Sequence, residues 1–128
     1  MISAAEIRVE VPMKVVQLRD VEKAEVTMEG AHRASKQVPL SKTDGAPHFS
    51  FRVFTLEGGG HTPYHSHESE HLNYVIEGEG ALVDGAGREQ ELKAGSFAMV
   101  LPNEKHQYRN TGKAQPLVFL CAVPIAYE

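Results

Sequence analysis

Gly58-Gly-Gly-His61-Thr-Pro63-Tyr-His65-Ser-His67-Glu68-Ser-Glu70-His71-Leu-Asn73-Tyr-Val-Ile-Glu-Gly78-Glu-Gly80 packs four of the chain's seven histidines into eleven residues. Neutral imidazole is a common protein ligand for first-row transition metals, so the cluster is a metal-site candidate on composition alone. Two backbone geometries compete for it. As a helix, His67-Glu68-Ser69-Glu70-His71 matches the H-E-x-x-H metalloprotease signature, with Glu68 as general base. The surroundings oppose that reading. Three glycines and Pro63 precede the motif, and β-branched and aromatic residues (Tyr74, Val75, Ile76) follow it before Gly78. As a strand, side chains alternate and His65 and His67 share a face. The strand reading prevails.

Under that reading, Gly59, His65, His67, His71 and Gly78 fall at the spacing G-x5-H-x-H-x3-E-x6-G, with histidine at the glutamate position. A second segment, Gly95 to Asn110 with Pro102 and His106, parallels G-x5-P-x-G-x2-H-x3-N. Both patterns, in this order, resemble the two motifs of the cupins, over roughly residues 49–124. The second motif departs by one residue gained before Pro102 and one lost after it, with no glycine, which predicts a reshaped turn of unchanged span. The resemblance implies an all-β fold, the cupin double-stranded β-helix or jelly-roll barrel. It also implies one divalent transition metal per chain, Mn, Fe, Ni, Cu or Zn, held by His65, His67, His71 and His106, as in small four-histidine cupins. Glu70, the rival to His71, sits at the wrong count and on the opposite strand face.

Working outward, the rest of the chain agrees. Residues 48–56, 81–83, 88–92, 97–101, 106–109 and 117–123 read as short strands, separated by turns such as Asp84-Gly85-Ala86-Gly87 and Asn110-Thr-Gly112. The last of them is apolar throughout, which predicts burial on both sides. Upstream, His32–Leu40 reads as a strand, residues 20–30 are ambiguous, and residues 6–15 alternate apolar and polar like an edge strand. The expected layout is one structural domain: strands and a loop over 1–47 packing on the barrel, the barrel over 48–124, and a tail over 125–128. An uncovered edge at residues 6–15 predicts a homodimer that buries it.

With 128 residues, 41% of them hydrophobic, the chain suffices for one cored domain. A net charge of −4 leaves no footprint for nucleic acid or an anionic membrane. One cysteine rules out an internal disulfide, and with no apolar run of membrane-spanning length and no signal-peptide core the expected location is cytoplasmic.

His61, Asn73, Tyr108, Cys121 and Arg52 are candidates for lining the pocket. Arg52 is the one charge in a phenylalanine-rich strand and would hold an anionic substrate if it faces inward. Glu68 and Glu70 are candidate acceptors that fix an imidazole tautomer from outside the ligand set. A carboxylate-free ligand set keeps the full charge on a bound ion and supplies no adjacent general base. The expected function is therefore metal-dependent oxidation of a small organic molecule, a dioxygenase-type reaction. The alternatives are a non-redox isomerase or lyase and a non-catalytic binder of a small ligand.

Overall fold

A computed structural model describes residues 13–128. Nine strands occupy it: β1 (Ala24–Glu25), β2 (His32–Leu40), β3 (Phe49–His61), β4 (His71–Glu77), β5 (Glu79–Asp84), β6 (Glu89–Lys93), β7 (Phe97–Val100), β8 (His106–Arg109) and β9 (Leu117–Pro124). Only three short 3-10 turns accompany them among the described residues. All pairings are antiparallel and follow the order β6-β5-β8-β3-β9-β4-β7, with β1 and β2 extending from β3. The amides of Ala94 and Gly95, just beyond β6, donate to Gly78 and Val75 of the β4 end, which curls the sheet into a barrel. Of the edge strand expected over residues 6–15, residues 6–12 lie outside the described residues, and Met13, Lys14 and Val15 are in no strand. Among the described residues no helix is long and apolar enough to cross a membrane.

Alternation sorts the side chains. Leu56, Val75, Leu92, Val100, Tyr108, Leu117 and Phe119 point inward and form the core. β9 is buried on both faces only over its first three residues, and then alternates. Phe119 is the largest side chain under 2% exposed, with its ring stacked on Phe54 at 5.5 Å and on Tyr108 at 4.5 Å.

The central stretch differs from a continuous strand. β3 runs through the glycine triplet to His61, longer than expected. At Gly58 a Cβ would lie 2.4 Å from the Lys113 carbonyl oxygen, so the missing side chain lets two backbones touch. Residues 62–70 then leave the strand, and His65 retains a single bridge to His106. β4 begins at His71 and ends before Gly78, whose φ of +88° and 2.1 Å Cβ approach to the Pro116 carbonyl oxygen admit only glycine. Two turns thus bracket β4 and bring its first residue to the barrel mouth.

Candidate metal centre

Each histidine is delivered by a different local device. His65 sits in the 62–70 segment and exchanges backbone hydrogen bonds with His106, at 3.1 and 2.9 Å. The Asn103 amide donates to the His67 carbonyl at 2.8 Å, holding the loop against the β7–β8 turn. His71 opens β4 and His106 opens β8, and both are buried. The turn before His106 is the reshaped one. Asn103 takes the left-handed conformation at φ +67°, which asparagine tolerates better than most non-glycine residues. The Glu104 carboxylate accepts from the Leu101 amide at 2.8 Å, closing the turn without a glycine.

The side chains converge. One ring nitrogen each from His65, His67 and His106 lies within 4.8 Å of the others, the spacing of a shared ion. The His71 ring stacks on His67 with centroids 4.2 Å apart and lies 5.3 Å from His106, beside that trio rather than in it. His67 Nδ1 donates to the Ser69 carbonyl at 2.9 Å, and His106 Nδ1 to the Glu104 carbonyl at 2.7 Å. Both bonds place the free lone pair on Nε2. His106 Nε2 and His71 Nδ1 are buried and have no hydrogen-bond partner. Orphaned imidazole nitrogens beside three converging donors fit a divalent transition metal.

Burial pushes the His71 pKa down to about 3, aided by the neighbouring His67 and by Arg52. His65 is lowered by burial and then by its neighbours His106 and His67, and His106 is lowered chiefly by burial. The His71 imidazole therefore stays neutral and ready to ligate well into acid. A consequence is measurable on metal-free protein. Between the unfolded value of about 6.5 and the folded value of about 3, the unfolded chain binds a proton at His71 that the folded chain refuses. Stability should fall as pH drops through that window, by up to about 1.4 kcal/mol per unit for this residue. Urea midpoints at pH 7, 6 and 5 on chelator-treated protein should decline more steeply than those of His71→Asn. Identical slopes would contradict the assignment.

A cavity of about 530 Å³ opens over the cluster, within the range for small-molecule sites. Arg52, Tyr108 and Cys121 line it, with Phe54 and Phe119 as its aromatic wall. Arg52 and Cys121, of undetermined facing in the sequence, both turn inward. Tyr108 donates its hydroxyl hydrogen to Asn73 Oδ1, and Asn73 Nδ2 donates to the Leu120 carbonyl at 3.3 Å. Asn73 therefore lies behind Tyr108 rather than on the cavity surface. His61 is not a lining residue. It ends β3, lies tilted against His32 with ring centroids 5.6 Å apart and meets Gln107, because residue 62 leaves the strand before parity can carry it inward. Glu68 and Glu70 are exposed, and the acceptors that orient His67 and His106 are backbone carbonyls instead. Sequence reasoning missed Ser69 and Glu104 because a carbonyl acceptor leaves no side-chain signature, and Phe119 because β9 is apolar on both faces.

The family model described as Cupin domain matches residues 52–123, more than half of the chain. The chain belongs to the cupin family. Among solved structures, this cupin is similar to the polyketide cyclase RemF from Streptomyces resistomycificus, at 34% identity over 89% of this chain and 80% of that one, with a TM-score of 0.83. A cupin 2 domain-containing protein from Halorhodospira halophila matches at 31% identity, over 78% and 68%, with a TM-score of 0.66. A sugar phosphate isomerase from Silicibacter pomeroyi matches at 22% identity, over 87% and 75%, with a TM-score of 0.73, a likeness of fold alone. No curated protein sequence matches this cupin.

Proposed function

We propose that this cupin catalyses a non-redox, metal-assisted ring closure on a small polycarbonyl substrate. The observation that carries the reading is the 34% identity to a polyketide cyclase across most of both chains. The site's own chemistry is compatible with it. A divalent ion held by His65, His67 and His106, with His71 as the fourth ligand, would supply Lewis acidity toward neighbouring carbonyl oxygens.

The chain's own residues do the rest. Phe54 and Phe119 wall the cavity and exclude water from the folded substrate. Tyr108 is 3% exposed, and burial raises its pKa, so it stays a neutral phenol fixed by Asn73. Its single hydroxyl hydrogen is already given to Asn73, so it braces the aromatic wall beside Phe119 and does not act as a base. Carbon flanked by two carbonyls is already acidic, which matches a site whose histidine cluster includes no carboxylate. In the proposed reaction that carbon gives up one proton to solvent and attacks a distal carbonyl carbon, and the alkoxide so formed takes a proton back. The new hydroxyl then leaves with the second hydrogen of the same carbon as water, forming a C=C bond with no net oxidation.

This favours the non-redox alternative over the oxygenase expected from sequence. Zinc has no redox chemistry, so zinc-loaded protein under nitrogen is the discriminating form. Linear tri- and tetraketides should give a product lighter by one water, detected by mass spectrometry, at rates unchanged by air. Turnover confined to iron- or manganese-loaded protein with oxygen would restore the oxygenase reading.

A further inference from the structure

Arg52 sits in mid-β3 opposite Cys121 of β9, which in turn opposes Asn73 of β4. Cross-strand partners share a face, so the three side chains form one inward row. The next row is Phe54, Phe119 and Val75. The Arg52 guanidinium lies 5.1 Å over the Phe54 ring, and its Nη2 donates to Cys121 Sγ at 3.1 Å. Its Nε is buried with no hydrogen-bond partner. Among the described residues no carboxylate pairs with it. The thiol is no counter-ion, since burial raises its pKa and keeps it neutral.

Two carboxylates do line the same cavity. Glu25 is exposed on β1, and Glu128 accepts from the Lys42 amide at 3.1 Å. Lys36, opposite Phe54, adds a second cation to the wall. An inward guanidinium without an anion is costly, and hydrophobic residues of similar volume would pack the position at least as well. Its planar fork matches a carboxylate, and the ring beneath it holds the fork in place.

We propose that Arg52 is a carboxylate subsite, which takes the free acid end of the substrate while the carbonyls to be joined lie at the histidine cluster. This rests on the polycarbonyl reading and narrows it to keto acids. Calorimetric titration of the zinc-loaded full chain tests it with acetylacetone, acetoacetate and benzoate. Wild type should bind acetoacetate about 10- to 100-fold more tightly than acetylacetone. Arg52→Met should erase that gap, with acetylacetone affinity and zinc content unchanged. Arg52→Lys, which keeps charge but loses the fork, should fall between. Equal affinities in wild type, or an equal loss for both ligands in Arg52→Met, would overturn the subsite. If wild type binds neither dicarbonyl, the polycarbonyl reading fails and benzoate decides separately. Benzoate binding lost in Arg52→Met supports the subsite, and binding that is absent or independent of Arg52 overturns it.

Discussion

His106→Ala should yield a folded protein that retains less than about a tenth of the wild-type metal after dialysis, and with it the activity. His106 is the keystone of the site for three reasons. Its backbone bridges to His65, its ring contacts both His67 and His71, and its Nδ1 is tied to the Glu104 carbonyl. Removing one of a few donors typically costs orders of magnitude in affinity, since the remaining nitrogens must recruit water. The fold should survive, because the backbone bonds to His65 do not use the side chain. His71→Ala should also lose metal, whereas Glu70→Ala, at an exposed side chain, should keep it. Element analysis of the three variants reads this out. Full metal in His106→Ala would remove the site from this part of the barrel.

The largest stability loss is expected at Phe119→Ala, about 3–5 kcal/mol by chemical denaturation. The side chain is 1% exposed and holds two aromatic stacks, Phe54 on one side and Tyr108 on the other. Deletion leaves a cavity that neither neighbour fills, because both are anchored by strand pairing. Phe119→Leu keeps most of the volume and should cost about 1.5 kcal/mol or less. Metal content should be unchanged in Phe119→Leu, while turnover falls as Tyr108 loses its support. A Phe119→Ala cost below about 1 kcal/mol would mean that the aromatic wall is not the packed core described.

The clustering of His65, His67 and His106 was legible because two motifs fix their spacing, and spacing survives any uncertainty about strand ends. Tyr108 was legible through its parity with His106 on one strand. Other features depended on partners remote in sequence. The glycine triplet reads as a breaker, yet it belongs to β3 because the Lys113 carbonyl passes within touching distance of Gly58. Strand parity sent His61 toward the pocket, but the chain breaks its pleat at residue 62. The inward facing of Arg52 and Cys121 was hidden because apolar residues occupy both faces of β3 and β9, and only their mutual register settles it. The oxygenase expectation followed from a missing base, and substrates acidic enough to need none fit the same site without oxygen.

The proposed metal centre is all-imidazole, with His71 at the position where the cupin motif has glutamate. X-ray absorption at the zinc edge of loaded wild-type protein tests it most directly, since imidazole rings give outer-shell scattering that carboxylates lack. Wild type should show four imidazoles, falling to three in His71→Ala with a water or other light ligand in place of the lost ring. Three imidazoles and a carboxylate oxygen in wild type, unchanged by His71→Ala, would contradict it.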